Sequence, residues 1–272
     1  MKYKDFENYR DRLIHVPVDL ILYKGSEKRM LSVFVAVVCK ANYADNGKKI
    51  TKLSLQDIIY TMGLTPKRGK GCINEQVAIA VSKLKEFGFF KCAPDYLAKN
   101  RIDATSKYRY EVLKPKEAKT YIAITPFELF MIAGIARNKS NVDSDGNKRR
   151  ITFSYETMLR AVLLIRMKIM ECKGNVLMIT RDKLHKLIGV SPQRVTDITN
   201  ELDKAKIIRK RVYDLYRNKT CADGSIKREK WQVAFYSNYY NTTEKDVYDA
   251  FNDYEVSIGY ENPKLADQGD SA

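Results

Sequence analysis

A chain of 272 residues, 44% hydrophobic and 11% aromatic, has enough apolar material for about two globular domains of ~100–150 residues each. Its formal net charge of +16 is uneven: residues 241–272 carry −6, which leaves +22 on residues 1–240 and points to an anionic partner, chiefly nucleic acid. The longest apolar stretch, Met30 to Cys39, is half the ~20 residues that a bilayer span requires, which argues against a membrane protein.

Five scattered cysteines with no C-x-x-C pair argue against a disulfide framework or a zinc site and predict reduced thiols. Residues 1–10 are polar and mixed in charge, with no signal-peptide core, so the expected location is the cytoplasm.

In chain order, Val16-Pro17 closes a short strand-like opening. Ser26 is then placed to cap an almost uniformly apolar helix through Cys39, which predicts a buried central element. Asn46-Gly47 marks a turn. Ser54 caps a helix with Leu55, Ile58, Ile59 and Met62 at helical spacing, and Gly63 is its stop. A basic loop, Thr65 to Gly71, leads into a third helix whose Ile73, Val77, Ala80, Leu84 and Phe87 form one inward stripe. Gly88 ends that helix. Strands are expected from Phe89 to Cys92 and from Tyr108 to Leu113.

From Tyr121 the order returns. Thr125-Pro126 stands where Val16-Pro17 did, and Ser154 opens an apolar helix with Met158, Val162, Ile165 and Ile169. Ser54 to Leu64 pairs without a gap with Thr180 to Val190, at an offset of 126 residues. Thr180 therefore caps a helix that ends at Gly189, and Ser191-Pro192 starts another, with Val195, Ile198, Leu202 and Ala205 inward. Two strands, Ile207 to Tyr216 and Lys230 to Ser237, are joined through Asp223-Gly224. Residues 138–150 read as a charged surface loop, and the acidic stretch from Asn241 as a tail that is partly helical at best.

Three helices followed by a two-stranded hairpin, with a short glycine turn between the second and third, is the winged-helix form of helix-turn-helix. The expected fold class is thus α+β, mainly α, as two tandem winged-helix domains (1–115 and 116–240) with a tail at 241–272. In such a module the third helix reads base edges in the major groove. In the second copy its outward side carries Gln193, Arg194, Thr196, Asp197, Asn200 and Lys204, opened by Ser191. In the first it carries Asn74, Gln76, Ser82 and Lys83, interrupted by Glu75 and Glu86, with Lys67, Arg68 and Lys70 in the approach loop. The hairpins add Lys99, Arg101, Lys107 and Arg109 in the first copy. In the second they add Arg209, Lys210, Arg211, Arg217, Lys219, Lys227, Arg228 and Lys230 as phosphate contacts.

Catalysis finds no support. The two histidines, His15 and His185, form no His-x-His metal pair, so a nicking initiator lacks its ion site. The stretch from Gly63 to Gly71 fails as a phosphate loop, because its glycines are one residue too far apart and Gly71 stands where Ser or Thr must hold Mg²⁺. No enzyme activity, metal or cofactor is expected.

The paired winged helices, each opened by a strand with Val-Pro or Thr-Pro, resemble the theta-type plasmid replication initiators over residues 13–240. Ile14-His15-Val16-Pro17 through Phe90 also resembles the amino-terminal domain of Gram-positive plasmid initiators and some phage replisome organisers. The resemblance implies binding of double-stranded DNA at repeated origin sequences, with Ser191 to Ala205 as the main reader and Ile73 to Glu86 as the second. It also implies recruitment of a host helicase or helicase loader, and a homodimer that represses while the monomer initiates. The acidic face of the first reader departs from that pattern. Rival readings are a transcriptional regulator or partition factor of the same fold, and a helicase-loader-like protein adaptor.

Overall fold

The computed structural model describes residues 12–25, 29–44, 47–97, 102–113, 120–137, 141–142, 148–149, 153–172, 176–213, 218–220, 226–228, 232–237 and 243–257. The fold is mixed α+β and divides into two compact units, residues 1–163 and 164–272. No helix among the described residues is long and apolar enough to cross a membrane.

The first unit begins with β1 (Ile14–Pro17), which pairs antiparallel with β6 (Tyr121–Ile124), Ile14 opposite Ile124. A short α1 (Val18–Leu22) precedes α2 (Met30–Lys40), which is buried from Met30 to Cys39. The expected cap of α2, Ser26, lies outside the described residues, and the N-cap is Arg29 at φ 75°. Phe34 on α2 sets the core, its ring 5.5 Å from Phe89 and 6.0 Å from Phe90, with Tyr110 edge-on to Phe90 at 5.8 Å. Each such ring taken from water contributes about 1.5–3 kcal/mol.

Strands β2 (Asn42–Tyr43), β3 (Lys49–Leu53), β4 (Phe90–Lys91) and β5 (Tyr108–Val112) form a sheet in the order β2-β3-β5-β4. Between β3 and β4 run α3 (Leu55–Thr61) and α4 (Ile73–Glu86). Ser54 and Asp57 close a reciprocal capping box on α3, as the spacing implies. On α4, Val77, Ala80 and Leu84 are fully buried. Phe87 leaves the expected stripe and lies half-exposed, edge-on to Tyr23, because Gly88 turns the chain at that point.

The unit closes with α5 (Pro126–Arg137), capped through Thr125 and Glu128, a short pairing of β7 (Asn141–Val142) with β8 (Lys148–Arg149), and the first half of α6 (Tyr155–Met170). That half ties to α1 and α2. Arg160 donates to the carbonyls of Ile21 and Tyr23 at 2.8 Å each, and Glu156 accepts the Ser32 amide at 3.0 Å. The remainder of the 138–150 insertion lies outside the described residues.

In the second unit β9 (Val176–Thr180) is followed by α7 (Arg181–Ile188) and α8 (Pro192–Lys204). Next come β10 (Ile208–Tyr213), the small pair β11 (Asn218–Thr220) and β12 (Ile226–Arg228), and β13 (Gln232–Ser237). The sheet order is β9-β13-β10. It repeats β3-β5-β4 of the first unit, with the first strand bonded to the last and the last to the middle one. Arg166, in the part of α6 that belongs to this unit, is buried, its Nη2 donating to the Ile207 carbonyl at 3.4 Å.

The acidic stretch is partly helical, and its helix is docked on the second unit. Glu244–Ser257 is a 14-residue helix, α9, which buries Val247 and Phe251 against Val176 and Ala234 of the sheet. Ala250 and Tyr254 pack beside these two anchors, an apolar face that the acidity of the segment hides in composition. Replacing Phe251 by alanine removes the larger anchor and is expected to cost about 3–5 kcal/mol. In native-state hydrogen exchange the α9 amides should then open before those of β9 and β13, and uniform exchange across the unit would count against independent docking.

Candidate nucleic-acid interface

Local chemistry fixes the α7–α8 pair. Thr180 caps α7 by accepting the Lys183 amide at 3.3 Å, and Gly189 ends it at φ 81°, a conformation open mainly to glycine. Gly63 plays the same part after α3, at φ 72°. Ser191 caps α8 with Pro192 in its first turn. Leu184 and Ile188 on α7 are buried, as are Val195, Ile198, Thr199 and Leu202 on α8, whereas Ala205 is only half-buried at the C-cap.

With that stripe inward, α8 presents Gln193 and Asn200 to solvent, with Arg194, Thr196 and Asp197 partly covered beside them. Gln193 Nε2 donates to Asp197 Oδ1 at 3.0 Å, which occupies one end of its amide. Thr196 Oγ1 donates to the Pro192 carbonyl at 3.2 Å. Lys204 pairs with Glu201 at 2.8 Å and is exposed. Asn200 accepts Lys210 Nζ at 2.5 Å, and the same ammonium reaches Thr199 Oγ1 at 3.3 Å. Burial holds the Lys210 ammonium below its ordinary pKa, with Asp203 pulling the other way.

The β10 cations do not stand free as phosphate contacts. Arg209 bonds to Asp203 at 3.4 Å and, more closely, to Glu244 of α9, while Lys206 meets Glu244 at 2.8 Å. Arg211 donates to Glu255 at 2.7 Å, a carboxylate only 6% exposed, and stacks 4.8 Å over Phe251. The pairs with Glu244 and Glu255 are illegible in sequence because those acids lie in the segment that composition marks as a tail. Lys99, Arg101, Arg217 and Lys230 lie outside the described residues, and Lys219, Lys227 and Arg228 are described in backbone only, on β11 and β12.

In the first unit two expected base readers prove to be pegs of the approach loop. Asn74 is 5% exposed; its Oδ1 accepts the Lys67 amide at 3.0 Å. Gln76 donates to the Gly71 carbonyl at 2.6 Å and accepts Arg29 Nε at 2.7 Å, while Glu75 accepts the Gly71 amide. Ser82 Oγ is buried and Lys83 pairs with Glu86 at 2.8 Å. The pegged loop leaves Lys67, Arg68 and Lys70 exposed, and Lys107 is exposed at the start of β5. Just ahead of it Asp103 accepts the Thr105 and Ser106 amides at 3.1 Å each, and the Ser106 bonds hold its carboxyl far below the usual range.

Two cations of this unit, Lys52 and Lys91, escape sequence reasoning because their strands are short and of mixed polarity. Lys52 stands directly opposite Arg109 in the β3–β5 ladder.

Acid should loosen α9 first. Bonds from Lys206 and Arg209 hold the Glu244 carboxyl below its ordinary value of 4.5, and the Thr243 amide does the same for Asp246 from 3.8. Both are depressed in the folded state. Their stabilisation is therefore complete above those ordinary values and is lost as the pH falls through the lowered ones. Protection of the α9 amides, taken relative to their intrinsic exchange rates, is expected to fall between pH 6 and pH 3 ahead of global unfolding, and simultaneous loss of all protection would contradict this.

No protein-family model matches the chain, and comparison with curated proteins returns no match.

Proposed function

We propose that the chain is a sequence-specific double-stranded DNA-binding protein made of two tandem winged helices. The observation that carries this reading is the recurrence of one arrangement: strand, capped helix, left-handed glycine, second helix, then two strands that complete a sheet in the order first-third-second. In that arrangement the second helix of the pair enters the major groove and the hairpin lies along the backbone.

The reader of the second unit is α8. Gln193 and Asn200 offer amides that pair with adenine, and Arg194 a guanidinium suited to guanine. The bonds from Gln193 to Asp197 and from Lys210 to Asn200 hold both amides in place until a base edge replaces one partner. In the first unit the exposed Lys67, Arg68 and Lys70 contribute affinity through phosphate more than sequence choice. Initiation at repeated origin sequences, with recruitment of a host helicase or loader, is the role we assign from the resemblance to theta-type plasmid initiators. The large positive charge of residues 1–240 fits either that role or repression by the same fold.

Binding to a duplex selected from a random pool for tight binding, and to unselected random duplex, separates base contacts from backbone contacts. Gln193→Ala and Asn200→Ala should each weaken specific binding by ~1–3 kcal/mol and leave non-specific binding almost unchanged. Arg211→Ala should loosen α9 without lowering duplex affinity. Equal losses on both duplexes in the α8 variants, or a large affinity loss from Arg211→Ala, would contradict the reading.

A further inference from the structure

The first unit carries a groove of ≈ 290 Å³ where the ends of α2, β3 and α3 meet the approach to β5. Lys40, Lys52 and Lys107 line it, and Tyr60, 57% exposed, forms one wall. Asp57, the carboxylate among its described lining residues, is engaged by the amide and hydroxyl of Ser54 at 2.9 and 2.8 Å. Arg109 continues the cationic track, directly opposite Lys52 in the ladder. Like charges placed opposite one another in a ladder work against the sheet. Glu111, two residues further along β5, is already paired with Lys48 at 3.1 Å. The fold thus keeps an unfavourable Lys–Arg pair beside an uncovered aromatic ring.

We infer that this groove binds a single-stranded nucleic-acid segment, with one base against Tyr60 and the flanking phosphates on Lys52, Lys107 and Arg109. Charge complementarity demands a polyanion. The ring decides which kind: in duplex DNA the base faces are covered by their neighbours, and only an unpaired strand offers a face to an aromatic side chain, with cations tracking its backbone. Nothing in this site involves α8, so the inference does not rest on duplex reading by the second unit.

The test is fluorescence anisotropy of a labelled oligothymidylate titrated with the full chain over a range of salt. Wild type should bind it with a log–log salt slope that becomes shallower by about 1.4 in the Lys52→Gln/Arg109→Gln double variant, at ~0.7 for each phosphate no longer neutralised. Tyr60→Ala should weaken binding about tenfold or more. Because the double variant removes a like-charge pair, its thermal midpoint should hold or rise, so a drop in binding is not a loss of fold. Gln193→Ala/Asn200→Ala should leave oligothymidylate affinity unchanged. The inference is overturned if wild type fails to bind the oligonucleotide at low salt, or if the groove variants bind as wild type does. It is equally overturned if Tyr60→Ala weakens random duplex by the same factor, if the α8 variant loses the single strand, or if thymidine monophosphate competes as well as the oligonucleotide.

Discussion

What a reading helix can offer to a ligand is set by what it must bury. On α8 the inward positions Val195, Ile198, Thr199 and Leu202 leave water altogether, packed with Leu184 and Ile188 of α7 in the same buried layer. Rotating the helix by one position would expose that stripe and forfeit about 1.5–3 kcal/mol for each large aliphatic side chain. The caps at Thr180 and Ser191 and the left-handed Gly189 fix its start and its entry angle. The outward set of Gln193, Arg194 and Asn200 is a consequence of these constraints, and it is the part of the molecule that the proposed function depends on.

Electrostatics in the second unit is settled largely by ion pairs within it. Arg209 and Arg211 on β10, with Lys206 just before it, are neutralised inside the unit by the acidic helix, through Glu244 and Glu255, whereas Lys210 turns to Asn200 and Thr199 of α8. A basic sequence stretch is therefore a poor guide to a basic surface when its acids lie 35 to 44 residues away. In the first unit the balance goes the other way. Asn74, Gln76 and Glu75 hold the loop backbone and so leave its lysines and arginine to solvent.

Local chemistry is legible from sequence and long-range chemistry is not. Ser54, Thr180 and Ser191 cap where their spacing says they should, because a cap needs only partners within three residues. The 126-residue offset carries over into matched N-caps and matched left-handed glycines. Strands β3 and β9 escape such a reading, since Lys-Ile-Thr-Lys-Leu and Val-Leu-Met-Ile-Thr are too short for either period to declare itself. The α9 helix escapes it because acidity masks two anchors, Val247 and Phe251, whose partners Val176 and Ala234 only the folded sheet brings together. Asn74 misleads because its residue type suits both a base edge and a loop amide, and only its burial decides.

The most direct measurement is site-specific photo-crosslinking to a duplex selected from a random pool for tight binding to the full chain, from single positions along α8 and β10. A crosslinker at position 193 or 200 should trap bases of the selected duplex, and one at 209 or 211, which pair with α9, should trap none. Base crosslinks from 209 or 211 with none from 193 or 200 would contradict the account.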